Sequence, residues 1–265
     1  MGEYARLRKQ TERIVRRAVR LARGARFEVM EKGDAANIVT TSDLFVQSYL
    51  CKRLGALLPE AGFYCEEENL KDTESEYIWM IDPIDGTMNY SRGIGECAIS
   101  VALLRNQRPV LGVVHNLFRR DLFSASVGDG ARRNGKAIAV SDKPFERSLL
   151  FTALSLYKKE LAPICSDIIA EAYGECSDIR RFGSCAIELC YLAAGEADLY
   201  FEVRVFPWDF AAAALILTEA GGVVRGFDGS IPGYDRPTPL IAANTTENYE
   251  RLGDIVKRHM PTMPY

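Results

Sequence analysis

An uninterrupted apolar run, Tyr77-Ile78-Trp79-Met80-Ile81, ends directly on Asp82-Pro83-Ile84-Asp85-Gly86-Thr87. A short run with no polar alternation is what a strand buried on both faces requires. The strand delivers two carboxylates, Asp82 and Asp85, into a loop. Pro83 fixes its own φ and restricts Asp82, while Gly86 permits positive φ or a close backbone approach. Hard oxygen donors on a stiffened loop suit Mg²⁺, which keeps waters that a phosphate can displace. If a helix begins here, the N–H groups of Gly86 and Thr87 face an anion. A turn held by side-chain caps is the plain alternative for two nearby aspartates. It leaves Pro83, Gly86, Thr87 and the buried strand without a reason.

Two further acidic groups stand out. Glu66-Glu67-Glu68 follows a short apolar segment, 61–65, that reads as a strand; a glutamate run is ordinarily a solvated face, but Glu66 at its edge can turn inward. Asp209 follows Pro207-Trp208 and precedes an alanine-rich helix. It reads as a helix N-cap, a role that leaves lone pairs for a metal.

Composition narrows the chemistry. Of 265 residues, 33 are Lys or Arg and 36 Asp or Glu, a net charge of −3 that gives no reason to expect nucleic-acid or anionic-membrane binding. No apolar run approaches the roughly 20 residues of a membrane helix, and the charged first ten residues lack the apolar stretch of a secretory signal. The seven cysteines lie mostly in apolar stretches, with no Cys-x-x-Cys, and read as reduced thiols of a cytoplasmic protein. Only two histidines, His115 and His259, occur, far apart in the chain. That argues against a histidine zinc site or a Ser-His-Asp triad, and oxygen ligands are left to carry the chemistry.

Along the chain, apolar residues at helical spacing predict a helix over 4–30, closed by Gly33, with Arg13, Arg16, Arg17, Arg20 and Arg23 on its solvated face. Ser42 and Asp43 read as the start of a second helix before Pro59. Strands are expected over 77–81, 98–104 and 110–115, with turns at 128–130 and 134–135. Polar residues 141–147, with Pro144, mark a boundary between two halves, 1–145 and 146–265. The second half reads as strands at 149–154, 197–201, 223–224 and 240–243 and helices at 160–172, 186–194, 209–219 and 248–258. No repeat of fixed period is present.

Asp82-Pro83-Ile84-Asp85-Gly86-Thr87-Met88-Asn89-Tyr90 resembles the first signature of the inositol monophosphatase family, and Trp208-Asp209-Phe210-Ala211-Ala212 through Glu219-Ala220-Gly221-Gly222 its second. Lys32, the segment 37–43, Glu66-Glu67, 128–135 and 181–194 extend the likeness over about 32–244. Two signatures in order and at family spacing are specific. The resemblance implies a mixed α/β fold, a layered α-β-α-β-α sandwich of the inositol monophosphatase and fructose bisphosphatase type. Its site lies between the halves, with Asp82 and Asp85 from the first and Asp209 from the second. It implies two to three Mg²⁺ ions. Glu66, Asp82 and the Ile84 carbonyl hold the first, Asp82, Asp85 and Asp209 the second, and a weaker third sits near Glu66 through waters. Asp43 and Thr87, with Glu66, form the catalytic group that orients and deprotonates the attacking water. Asp85, Gly86, Thr87, Cys185, Glu202 and Asp209 contact substrate, and Lys32 belongs to a mobile N-terminal segment. Lithium inhibition and a homodimer are also implied.

Two departures from the family pattern carry weight. Cys65 occupies a place where relatives usually have glycine; a thiol there could crowd the metal loop or make it sensitive to oxidation, and the plain reading is a small residue tolerated at that position. Ile94-Gly95-Glu96-Cys97 differs from the commoner aromatic, proline-containing form. Within this fold relatives hydrolyse inositol monophosphates, fructose 1,6-bisphosphate, histidinol phosphate or 3′-phosphoadenosine 5′-phosphate, and Asn89-Tyr90 resembles the inositol branch. Tyr157, Lys158, Lys159, Arg180 and Arg181 are candidates for a second phosphate, or else solvated surface. The expectation is a Mg²⁺-dependent phosphomonoesterase for inositol monophosphate or a similar small polyol or sugar phosphate, with no membrane or nucleic-acid partner. Sugar-bisphosphatase or histidinol-phosphatase activity, and a protein-binding regulatory role, are the alternatives.

Overall fold

In the computed structural model, which describes residues 2–24, 26–31, 38–67, 70–154 and 158–260, α1 (Glu3–Gly24) leads into a short antiparallel pair, β1 (Val29–Glu31) and β2 (Ile38–Thr40), and then α2 (Thr41–Leu57). Next come β3 (Gly62–Cys65), β4 (Tyr77–Asp85), α3 (Thr87–Arg92), β5 (Ala98–Arg105), β6 (Arg108–Asn116), β7 (Leu122–Ser126), β8 (Arg132–Arg133) and β9 (Lys136–Ala137). The described chain then runs through β10 (Leu149–Thr152), α4 (Ala162–Glu175), β11 (Asp178–Arg180), α5 (Cys185–Ala193), β12 (Leu199–Val205), α6 (Pro207–Glu219), β13 (Val223–Arg225), β14 (Thr238–Ala243) and α7 (Thr246–His259).

Successive strand residues point to opposite faces, and here both faces are apolar. Ile78 and Met80 of β4 enter one core while Trp79 and Ile81 enter another; Ala102 and Leu104 of β5 separate in the same way from Val101 and Leu103. In β12 and β14, Tyr200 and Ala242 face the first of these cores, whereas Phe201 and Ile241 face a third. Two sheets apolar on both sides need helices on both sides. The seven-stranded sheet runs β3-β4-β5-β6-β7-β8-β9 and the five-stranded sheet β11-β10-β12-β14-β13. α1 and α2 cover the outer face of the first, α4 and α7 the outer face of the second, and α5 and α6 fill the space between them. The result is the expected five-layer α-β-α-β-α sandwich.

The strands of each sheet come from one side of the polar stretch 141–147, but the middle layer belongs to both. α6 carries Ala211, Ala212, Ala213 and Ala214, all buried, and packs against β4, β5, β6 and β7 on one side and α5 on another. The approach is close at Gly112 on β6, where an added Cβ would stand 2.5 Å from the Ala212 carbonyl oxygen.

Several elements differ from the sequence expectation. The first helix stops at Gly24 rather than near 30, since glycine is the weakest non-proline helix former. Val29 and Met30 pair instead with Thr40 and Val39. Gly33 lies outside the described residues. The second helix is capped by Thr40 rather than Ser42 or Asp43. β4 does not end at Ile81 but continues to Asp85. β11 was not expected from its three residues, and gains its place by parallel pairing with β10. Arg13, Arg16, Arg17, Arg20 and Arg23 of α1 are exposed, as expected of a solvated face. Among the described residues no helix is long and apolar enough to cross a membrane.

Gly112→Ala is expected to cost about 1–3 kcal/mol, the usual penalty for overpacking a filled core. A lower urea midpoint at unchanged m-value would report it.

Candidate functional site

A regular strand sends residues three apart to opposite faces, so Asp82 and Asp85 could not share a site if β4 were regular. The pairing with β5 shows how they do. Asp82 faces Ser100 and Asp85 faces Ala98, three steps along β4 against two along β5. The extra residue is a β-bulge, which reverses the alternation beyond it. Pro83 sits inside the bulge, where a central strand can tolerate a missing N–H. Asp82 Oδ1 closes the local turn by accepting the Ile84 N–H at 2.9 Å. Gly86 follows at φ +86°, and a Cβ there would lie 3.1 Å from the Glu96 carbonyl and 3.2 Å from that of Gly183. Thr87 then opens α3.

Asp209 reaches the same point from α6. It is the third residue of that helix rather than its N-cap, and its Oδ2 accepts the N–H of Phe206 at 3.1 Å. Pro207 at the first helical position starts the helix two residues earlier than Asp209. Ser100 Oγ donates to the Trp208 carbonyl at 3.2 Å and ties this helix start to β5. Carboxylate oxygens of Asp82, Asp85 and Asp209 all lie within 4.8 Å of one another. Asp85 Oδ2 is anchored by the Ser184 hydroxyl at 2.6 Å and the Ala186 N–H at 2.7 Å, both at the start of α5.

Burial raises the pKa of all three. Asp82 is pushed well above the usual carboxylate range by burial and then by Glu66, Asp85 and Asp209. Asp209 is likewise raised well above it, by burial and then Asp85 and Glu66. Asp85 is raised to about 7, burial outweighing the bonds from Ser184 and Ala186.

Glu66 begins the turn after β3. Its N–H donates to the Ile81 carbonyl at 3.1 Å, and it lines the same cleft, outside the close trio. Glu67 is buried rather than solvated, and Gln47 of α2 brackets it: Gln47 Nε2 donates to the Glu67 carbonyl at 2.9 Å, and the Glu67 N–H donates to Gln47 Oε1 at 3.0 Å. Glu68 and Lys32 lie outside the described residues. Asp43 is buried at the start of α2, with Oδ2 taking the N–H of Thr40 at 2.7 Å and also its hydroxyl. Its other oxygen stands 3.4 Å from Thr87 Oγ1, which donates to the Ile84 carbonyl at 3.0 Å. Burial raises Asp43 to about 7 against the bonds from Thr40.

These groups border a cleft of about 280 Å³, lined also by Gly86, Asn89, Arg181, Cys185, Glu188 and Glu202. The Tyr200 hydroxyl donates to Glu202 Oε2 at 2.6 Å, and burial raises Glu202 to about 7. Of the candidates for a second phosphate, Arg181 reaches the cleft. Arg180 is exposed and pairs with Asp178, and Tyr157 lies outside the described residues. His115 and His259 are not part of the cleft lining; His259 pairs with Glu171.

Sequence reasoning missed Gln47, Ser184 and Glu188, and read Asn89 as a family marker without its structural role. Glu188 is fully buried, accepts the N–H of Phe182 at 2.5 Å and of Gly183 at 3.3 Å, and is raised by burial to about 8. Asn89 Nδ2 donates to the carbonyls of Phe182 and Glu96, 2.7 Å each. Together they hold the Phe182-Gly183 turn against Gly86. Ser184 at the start of α5 was a capping signal, whereas Gln47 and Glu188 have no local pattern that marks them.

The donor set fits a hard divalent cation. It is all oxygen, convergent and mostly buried, with Asp209 half-buried, and among the described residues no arginine or lysine neutralises Asp82, Asp85 or Asp209. Like charges this close cannot all stay ionised in a low dielectric without a cation. The Ile84 carbonyl accepts one hydrogen bond and keeps a second lone pair.

Comparison with known proteins agrees. The chain is 32% identical over 242 residues to a protein named Nus factor SuhB in Escherichia coli (strain K12), covering 87% of this chain and 89% of that one. An inositol monophosphatase from Anabaena (Nostoc) sp. PCC 7120 superposes with a TM-score of 0.86 at 26% identity over 100% of both chains. A Thermotoga maritima IMPase does so with 0.85 at 28%, covering 96% of this chain and 98% of that one. The sequence profile of the inositol monophosphatase family matches residues 3–260, and the chain belongs to that family.

Proposed function

We propose that the chain is a Mg²⁺-dependent phosphomonoesterase that hydrolyses inositol monophosphate or a similar small polyol phosphate. Family membership supports a phosphatase; the substrate is our reading. The observation that carries it is the convergence of three carboxylates from β4 and α6, Asp82 and Asp85 buried and Asp209 half-buried, with no basic partner among the described residues. Asp82, Asp85, Asp209, Glu66 and the Ile84 carbonyl would hold two to three Mg²⁺ ions, which when bound supply charge neutralisation of the phosphoryl oxygens, acidification of water and stabilisation of the leaving alkoxide.

The chain supplies position, the main protein contribution to phosphoryl transfer. The N–H groups of Gly86 and Thr87 receive phosphoryl oxygens at a left-handed glycine where a Cβ would crowd the Glu96 and Gly183 carbonyls. Asp43 takes the proton of the attacking water through the Thr87 hydroxyl, and its raised pKa suits a base near neutral pH. Glu202 accepts a substrate hydroxyl, and the Cys185 backbone meets the ring. Arg181 reaches the cleft as a candidate for a second phosphate in a bisphosphate substrate. The reading includes Li⁺ inhibition, a cytoplasmic location, subdomains 1–145 and 146–265, and a homodimer, which sedimentation velocity checks. A second reading, action through a macromolecular partner, draws on the name Nus factor borne by the 32%-identical relatives. Asp85→Asn separates the two, since it removes catalysis and leaves the surface intact.

Release of phosphate from inositol 1-phosphate should require Mg²⁺. It should fall more than about a hundredfold in Asp82→Asn, beyond the 10–100-fold expected when only a ligand's support is disturbed, and less in Glu202→Gln. Retained activity in Asp82→Asn, or far higher kcat/KM on fructose 1,6-bisphosphate, would overturn the assignment.

The metal-free protein should lose stability as pH rises. Asp85 titrates at its ordinary 3.8 when unfolded and at about 7 when folded. Between those values the folded chain holds a proton that the unfolded chain has released, so stability falls across the window and the loss is complete above about 7. The melting temperature should therefore be lower at pH 8 than at pH 5, and Mg²⁺ should raise it more at pH 8.

A further inference from the structure

Two sulfur atoms lie beside the acidic turn and have no part in the mechanism above. Sγ of Cys51, half-buried on α2, and Sγ of Cys65, buried at the end of β3, stand 3.8 Å apart. Asp43, Gln47 and Cys51 follow one another at four-residue intervals, so α2 presents them in a row. Asp43 meets Thr87, Gln47 brackets the backbone of Glu67, and Cys51 meets Cys65. Glu66 is thus flanked in the chain by two residues that α2 grips. A disulfide needs its sulfurs about 2.05 Å apart, so closing this pair turns Cys65, the residue next to Glu66, toward α2. Gln47 resists that movement one turn away, and the turn between them has to rotate.

We infer that Cys51 and Cys65 form a reversible oxidation site, closed to a disulfide by a hydroperoxide, and that closure displaces Glu66 and weakens cation binding. The consequence for the cation rests on the metal-dependent reading above. In the first step the sulfur of Cys51, the more accessible, attacks hydrogen peroxide; the O–O bond breaks, water leaves and a sulfenic acid forms. The thiolate of Cys65 then attacks that sulfur; the S–O bond breaks, a second water leaves and the S–S bond forms. Two thiols have lost two electrons and two protons, and one peroxide has become two waters. A small dithiol reverses the bond by exchange.

The test uses the full chain, reduced, then treated with hydrogen peroxide, alkylated and digested. Mass spectrometry should find the peptides of Cys51 and Cys65 joined and lighter by two hydrogens. The Mg²⁺ concentration for half-maximal thermal shift should rise at least about tenfold, the scale for disturbing a group that orients a ligand, and dithiothreitol should restore it. Cys51→Ala, and separately Cys65→Ser, should keep the untreated Mg²⁺ response after peroxide. The inference is overturned if peroxide consumes other cysteines without joining these two, if the bond forms and the Mg²⁺ response is unchanged, or if Cys51→Ala is impaired as much as the wild type. A reduced protein with no Mg²⁺ response overturns the metal reading instead, and the joined peptides are read independently of it.

Discussion

The mutual repulsion of carboxylates buried at one point is the constraint around which this molecule is arranged. Asp82, Asp85 and Asp209 lie within 4.8 Å of one another, with Glu66 raising all three further and Asp43 raising Asp82. Water would relieve the repulsion, and burial removes it. The fold answers by fixing each group separately: Asp82 on the Ile84 N–H, Asp85 on the first turn of α5, and Asp209 on the N–H of Phe206. None of these bonds carries a full positive charge. They orient the oxygens and leave the electrostatic debt for a cation to cancel, so the site is ordered before anything binds and is unfavourable until something does.

Much of this was legible in residue order. The unbroken run 77–81 required a sheet covered on both sides, and the two strand faces do feed separate cores. Of the residues that the family resemblance singled out, Asp82, Asp85 and Asp209 lie together, Glu66 and Thr87 line the same cleft, and Asp43 stands beside Thr87. What could not be read depends on partners distant in sequence. The two aspartates share a face only because β4 gains a residue on β5, and nothing local in Pro83 says which strand it will pair with. Gln47 looks like any polar residue of an amphipathic helix until Glu67 is placed beside it. Glu188 sits in an apolar helix, and its reason is the pair of N–H groups at Phe182 and Gly183. The early stop of α1 was legible in Gly24, but the spacing of apolar residues continued past it and outweighed the glycine.

The site also explains why the layers are held so tightly in register. Asp82 and Asp85 arrive on a strand, Asp209 on a helix of the middle layer, and Asp43 on a helix of the outer layer. A shift of any layer by the width of one side chain would separate them. The alanines of α6 and Gly112 of β6 allow the backbones to approach until little sliding is possible, and Ser100 fastens the beginning of the helix to the sheet.

That shared middle layer has a consequence for biogenesis. When the ribosome has released β3 to β9, the inner face of their sheet is complete in sequence but bare, because its cover is α5 and α6, synthesised some fifty residues or more after β9 ends. At about 5–20 residues per second the nascent chain holds an exposed apolar surface for several seconds. It must stay loosely organised, or be shielded by a chaperone, until the alanine-rich helix emerges and lets both sheets condense together.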